Sequence, residues 1–132
     1  MEFVDLDRII NMAKILFIED ERALQKTVGE VLRQEGFEVL SAEDGEVGLR
    51  LAKSEKPDLI LLDLILPKKD GFEIIEELKK NPETADLKII VLTNLGSSKD
   101  VERAIGLGAT TYLGKIDYEL EEVVSKIKEF LK

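Results

Sequence analysis

The sequence predicts an α/β fold, a five-stranded parallel sheet, doubly wound with helices on both faces. Two observations carry that prediction. Short runs of Ile, Leu, Val and Phe alternate five times with stretches whose apolar residues recur at helical spacing. One of those runs, Leu59–Leu62, is apolar at every position, as suits a strand covered on both sides. Alternating strands and helices imply right-handed crossovers and a parallel sheet.

Each element has a local reason. Ile15–Ile18 is a strand-forming run of β-branched and aromatic residues. Ala23, Leu24, Val28, Val31 and Leu32 then follow helical spacing up to Gly36, a residue suited to the left-handed position that ends a helix. Phe37–Leu40 reads as the second strand. Asp44–Ser54 is the second helix, with Val47, Leu51 and Ala52 inward, and Pro57 stops it. After the third strand, Pro67 and Asp70-Gly71 mark a loop. Phe72, Ile75 and Leu78 carry the third helix to Asn81-Pro82. Leu87–Leu92 is the fourth strand. Ser97 and Ser98 suit the cap of a fourth helix with Val101, Ala104 and Ile105 inward. Thr110–Leu113 is the fifth strand. Leu120, Val123, Val124, Ile127, Phe130 and Leu131 form the cleanest amphipathic helix. Residues 1–12 stand outside this pattern as an N-terminal extension, with Phe3, Val4, Leu6, Ile9 and Ile10 suited to a short amphipathic helix. Residues 13–132 form the domain.

Composition narrows the chemistry. The chain has 132 residues, 44% hydrophobic and 36% charged, which is globular. It has no Cys and no His. That excludes disulfides, thiol nucleophiles, imidazole catalysis and Cys- or His-ligated metals. The net charge of −9 disfavours direct binding of nucleic acid. Neither a basic leader nor a membrane-length apolar run occurs, so the expectation is a soluble cytoplasmic protein.

Ligands of open parallel sheets bind at the carboxyl ends of the strands. Here the first strand is followed by Glu19-Asp20-Glu21, the third ends in Asp63, the fourth in Thr93, and the fifth runs into Lys115. Singly, each has a plain alternative. The acidic trio complements the positive end of the next helix, and an Asp forms turns at strand ends. Thr93 suits a strand, and Lys115 suits a solvated surface. Together they describe a site. Clustered carboxylates need a cation, and an all-oxygen set selects Mg2+, Mn2+ or Ca2+. A Lys and a Thr hydroxyl beside it suit a phosphoryl group carried on an Asp.

At this point the chain resembles the response-regulator receiver domains of two-component signalling, of the chemotaxis-regulator type. The resemblance covers residues 13–131. It rests on Ile15-Leu16-Phe17-Ile18-Glu19-Asp20-Glu21, Pro57-Asp58-Leu59-Ile60-Leu61-Leu62-Asp63-Leu64-Ile65-Leu66-Pro67, Asp70-Gly71-Phe72, Ile90-Val91-Leu92-Thr93 and Gly108-Ala109-Thr110-Thr111-Tyr112-Leu113-Gly114-Lys115. It implies a flavodoxin-like sheet of strand order 2-1-3-4-5. It also implies a phosphoprotein in which Asp63 is the phosphoacceptor and Glu19, Asp20, Asp63 and the backbone carbonyl of Ile65 hold Mg2+, or Mn2+ in its place. Thr93 and Lys115 would take phosphoryl oxygens, and Thr93 and Tyr112 would form the switch.

Three positions depart from the family's usual residues. Glu19 stands where Asp is common, and its longer arm suits ligation through a water. Asn94 replaces a small residue beside the phosphoryl pocket. Ile116 replaces a Pro. A cis bond before a non-proline residue costs about 3–4 kcal/mol, so the Lys115–Ile116 bond is expected to be trans. By the same resemblance Ile65 and Leu95 would flank the path of a hydrolytic water; neither can orient it, which predicts slow loss of the phosphoryl group, with Asn94 as the rival for that role.

The function expected is that of a single-domain response regulator. It would be phosphorylated by a histidine kinase or phosphotransfer protein and would signal to a protein partner through the face of the fourth helix, fifth strand and fifth helix. A phosphate shuttle or sink in a phosphorelay would use the same site. No nucleic acid or membrane contact is expected, and no catalysis beyond its own phosphorylation and dephosphorylation. The rivals are a phosphorylation-independent pseudo-receiver and a haloacid-dehalogenase-like Mg2+-dependent phosphohydrolase. The latter needs a second Asp where this chain has Ile65.

Overall fold

The computed structural model describes residues 12–94, 98–115 and 119–131. The expected helix over residues 3–10, Ser97, Leu95 and the bond from Lys115 to Ile116 lie outside the described residues.

Among the described residues ten elements alternate: β1 (Lys14–Ile18), α1 (Arg22–Gln34), β2 (Glu38–Ala42), α2 (Gly45–Glu55), β3 (Leu59–Leu62), α3 (Gly71–Lys80), β4 (Lys88–Thr93), α4 (Ser98–Leu107), β5 (Thr111–Gly114) and α5 (Leu120–Leu131). The strands form one sheet in the order β2-β1-β3-β4-β5, every neighbouring pair parallel. The doubly wound, flavodoxin-like order expected is therefore the order observed.

Strand periodicity divides the core in two. Leu16, Ile18, Ile60, Leu62, Ile89 and Val91 join Leu49, Ala52, Ile74, Ile75, Leu78 and Ala104 in one cluster. Ile15, Phe17, Leu59, Leu61, Ile90 and Leu92 join Val28, Leu32, Val123, Val124 and Ile127 in the other. So α2, α3 and α4 cover one face, and α1 and α5 the other. Each fully buried aliphatic side chain stabilises the fold by about 1.5–3 kcal/mol.

Several boundaries differ from the sequence expectation, each for a local reason. Gly36 does end α1 in positive φ, at 101°. Phe37 is then used in that cap, donating its N–H to Leu32 O at 3.1 Å, so β2 starts at Glu38 and runs to Ala42. Asp44 and Asp70 are N-caps, accepting from Val47 and Glu73 N–H at 2.9 Å, so Gly45 and Gly71 are the first helical residues of α2 and α3. β4 and β5 sit one residue later than expected, which places Thr93 inside β4 opposite Gly114. On α2 the deepest positions are Gly48, Leu49 and Ala52, with Val47 and Leu51 half-buried beside them. A Cβ at Gly48 would lie 2.6 Å from the Ile18 side chain, so α2 packs there through a missing side chain. Among the described residues, Ala23 and Ile105 are stripe residues that lie outward, Ile105 42% exposed; Ala104 makes the inward contact of α4. No helix among the described residues is long and apolar enough to cross a membrane.

Candidate functional site

The parallel sheet aligns the carboxyl ends of β1, β3, β4 and β5 on one edge. Glu19 follows β1 and is fully buried; Asp63 follows β3 and is 5% exposed. Their backbones are stitched into the sheet edge. Glu19 N–H donates to Ala42 O at 2.9 Å, and Asp63 N–H to Ile18 O at 3.0 Å. The β5 end is tied in the same way, with Lys115 N–H donating to Thr93 O at 2.9 Å. Register thus fixes where each of these residues leaves the sheet, before any side-chain contact forms.

The side chains then converge. The Lys115 ammonium lies 2.5 Å from Glu19 Oε1 and 3.1 Å from Asp63 Oδ2. Asp63 Oδ1 accepts from Ile65 N–H at 3.3 Å, and Glu19 Oε2 from Glu21 N–H at 3.2 Å. Glu19 Oε1 is fully buried, and the Lys115 ammonium is its charge partner among the described residues. Asp20 stands beside them, exposed. One carboxylate oxygen from each of Glu19, Asp20 and Asp63 lies within 4.8 Å of the others.

Gly71 allows the loop after Asp63 to close on itself. Its N–H donates to Leu64 O at 2.8 Å, and a Cβ there would meet Asp63 O and Leu64 Cα at 2.7 Å. Any larger residue would displace the backbone that carries Asp63.

The electrostatics follow from burial. Taking the Glu19 carboxylate out of water raises its pKa from 4.5 to about 7; the Lys115 hydrogen bond works against that rise and the Asp63 charge adds to it. Burial opposes the Lys115 charge too, but its bonds to Glu19 and Asp63 outweigh it and the Lys115 pKa is raised. Two buried carboxylates sharing one ammonium, with a third carboxylate alongside, leave excess negative charge. A hard divalent cation with oxygen ligands fits that excess, and the carboxylates of Glu19, Asp20 and Asp63 could each supply one oxygen to it.

The sequence-predicted residues therefore fall into groups. Glu19, Asp20, Asp63 and Lys115 come together. Thr93 is buried at the end of β4 on the same edge, and Ile65 joins through its N–H while its side chain is 59% exposed. Asn94 is exposed just past β4, and Tyr112 lies on β5 opposite Val91 with its side chain 47% exposed. Gln25 was missed. Its buried amide donates to the main chain of Glu19, and its signal was its place on the apolar stripe of α1, three residues before Val28 and seven before Leu32.

Comparison with known proteins agrees with this geometry. Residues 15–128 match the family model described as the response regulator receiver domain. The chain is 38% identical over 121 residues to the DNA-binding dual master transcriptional regulator RpaA of Synechocystis, covering 92% of this chain and 50% of that protein. It spans about half the length of the curated relatives it matches. Among solved structures, a CheY-like receiver domain protein of Methanospirillum hungatei superimposes with a TM-score of 0.84 at 29% identity, covering 91% of this chain and 94% of that one. The receiver domain of the sensor histidine kinase PA1611 of Pseudomonas aeruginosa, solved with a magnesium ion in its active site cleft, gives 0.83 at 28% identity, covering 90% and 97%. Fold, sheet-edge chemistry and sequence thus agree that the chain belongs to the response regulator receiver domain family, the signalling modules of two-component systems.

Proposed function

We propose that Asp63 is the phosphoacceptor of this receiver, taking a phosphoryl group from the phosphohistidine of a histidine kinase or phosphotransfer protein. In that transfer the P–N bond breaks, its electron pair stays on the imidazole, and an Asp63 carboxylate oxygen forms the new P–O bond. The observation that carries the reading is a buried Asp63 at the end of β3 with the Lys115 ammonium 3.1 Å away. A lone buried carboxylate is costly, and this one is held ready by a cation that a phosphoryl group would share.

The other residues take roles from their places. Glu19, Asp20, Asp63 and the Ile65 carbonyl would hold Mg2+, or Mn2+ in its place. When bound there, the ion would supply positive charge to the phosphoryl oxygens. Lys115 moves from the carboxylates toward the phosphoryl group. Thr93 offers its hydroxyl to a phosphoryl oxygen, and Tyr112, outward before phosphorylation, turns inward as Thr93 shifts. The change would be read by a protein partner on the α4–β5–α5 face. RpaA binds DNA by its name, but the reading for these residues, at a net charge of −9, keeps nucleic acid out of direct contact. We take residues 13–132 as the receiver and 1–12 as an extension, working in the cytoplasm and catalysing nothing beyond its own phosphoryl transfer and hydrolysis.

Incubation with a small phosphodonor and Mg2+, followed by intact mass, tests this. One added phosphoryl group per chain is the expected result. No gain would favour a pseudo-receiver, and release of phosphate from added esters a phosphohydrolase.

A further inference from the structure

Gln25 sits on the buried stripe of α1 with Val28, Gly29 and Leu32. Its Nε2 donates to three main-chain carbonyls, Phe17 O at 3.0 Å, Glu19 O at 3.1 Å and Ala42 O at 3.0 Å. Two N–H groups serve three acceptors, so at least one hydrogen is shared. Reversing the amide would turn its oxygen against three carbonyls, so its orientation is settled by its neighbours. Oε1 is buried without a hydrogen-bond partner among the described residues. The side chain thus leaves an acceptor unpaired while its donor end makes three long-range bonds.

Those bonds bracket Glu19. The Glu19 N–H donates to Ala42 O, and the Glu19 carbonyl accepts from Gln25. β1 ends at Ile18, so the Glu19 carbonyl lies beyond the strand ladder, and Gln25 supplies the donor that no strand provides there. Ala42 O accepts from both Glu19 and Gln25, which closes the bracket into one unit.

We propose that Gln25 is a positioning residue for divalent-cation binding, holding the main chain of Glu19 so that its carboxylate stays aimed at Asp63 and Lys115. This rests on the reading of Glu19, Asp20 and Asp63 as the metal site. Gln25 acts only through Glu19, and the test isolates that dependence. Mg2+ binding is titrated calorimetrically on the full chain for the parent, Gln25→Met, Glu19→Gln and the double variant. Gln25→Met is expected to weaken Mg2+ binding about tenfold, the low end for residues that support metal ligands. In the Glu19→Gln background the same change should matter by less than about two-fold, because the carboxylate it positions is gone. Equal losses in both backgrounds would overturn the proposal, as would a lower melting temperature with unchanged Mg2+ affinity. Gln25→Asn withdraws the same amide by one methylene and should give the same coupling if Gln25→Met fails to fold. A metal-free readout stands beside these. Amide exchange at Glu19 and Glu21 should quicken in either variant while Ile15 and Leu16 keep their parent rates, and unchanged exchange at Glu19 would overturn the proposal. A parent chain that binds no Mg2+ would overturn the metal-site reading itself, and that failure appears before any Gln25 variant is made.

Discussion

Two aspartates flank the same four-residue strand and live under opposite physics. Asp58 precedes β3 and is exposed; its Oδ2 accepts from Lys14 N–H at 2.7 Å, while its own N–H donates to Lys14 O at 2.8 Å. Asp63 follows β3, is buried, and shares the Lys115 ammonium with a second buried carboxylate. The first carboxylate ties β1 to the start of β3 at little desolvation cost. The second is held where solvation is poor and like charge is close, an arrangement that opposes stability and suits a reactive group. The lesson is one of place. At the amino edge of the sheet an Asp serves the fold, and at the carboxyl edge the same residue is placed where the proposed chemistry needs it.

The largest expected effect separates the two outright. Asp63→Asn should abolish phosphoryl uptake from a small phosphodonor, and Asp58→Ala should leave its rate within about two-fold, an effect under ~0.5 kcal/mol. Time courses of intact mass check both. Loss of uptake in Asp58→Ala with retention in Asp63→Asn would reverse the assignment.

Next comes the metal. Asp20→Asn should weaken Mg2+ binding by about a hundredfold, ~2.8 kcal/mol, and Glu19→Gln by less, though by no less than the roughly tenfold of Gln25→Met, because Glu19 already has the Lys115 ammonium against it. Equal isotherms for the parent and Asp20→Asn would remove Asp20 from the site.

The phosphoryl lifetime should respond more modestly. The Ile65 side chain is exposed just past Asp63 and cannot orient a water. Ile65→Asn should speed decay after donor removal about three- to tenfold, ~0.7–1.4 kcal/mol of barrier. Unchanged decay would leave Asn94 as the residue that orients the water.

A smaller effect is in stability against pH. Burial raises the Glu19 pKa to about 7 in the folded state from an ordinary 4.5, so the folded chain binds the proton more tightly than the unfolded one. Below pH 4.5 both states are protonated and the group costs nothing. As pH rises from 4.5 to 7 the metal-free protein should lose stability, and the loss should persist above that range. Mg2+ should offset it there. Melting temperatures of the parent and Glu19→Gln across this window check the sign, since the variant should lack the decline. A parent whose difference from the variant grows more favourable with rising pH would contradict it.

The smallest effect returns to the other aspartate. Asp58→Ala should cost about 0.5–1.5 kcal/mol through its lost bond to Lys14 N–H. Asp63→Asn should instead hold or raise metal-free stability by removing a like charge beside Glu19. Denaturant midpoints of the two variants should therefore move apart.

The fold was legible because the strands are short apolar runs and the breaks carry Gly, Pro or a capping Asp. The site was legible because Glu19, Asp63, Thr93 and Lys115 fall just where those runs stop. What escaped the reading depends on three-dimensional neighbours. Ile105 fits a helical stripe, yet it lies outward while its neighbour on that stripe, Ala104, meets the core. Phe37 looks like a strand residue and is used in the cap of α1. Gly48 reads as a gap and is a contact, since only a bare backbone clears Ile18. Gln25 reads as a polar residue on an apolar stripe, and its purpose appears only when β1 and β2 bring three carbonyls to it.

The most direct measurement of the central claim marks the phosphorylated residue covalently. The chain is loaded from a small phosphodonor with Mg2+, the acyl phosphate is reduced with borohydride, and the modified side chain is located by peptide sequencing. An aspartyl phosphate reduced in this way leaves homoserine at its position. The account predicts homoserine at position 63 and an unchanged Asp at positions 20 and 58. Homoserine at position 20 or 58, or none at 63 in a chain that has gained a phosphoryl group, would contradict it.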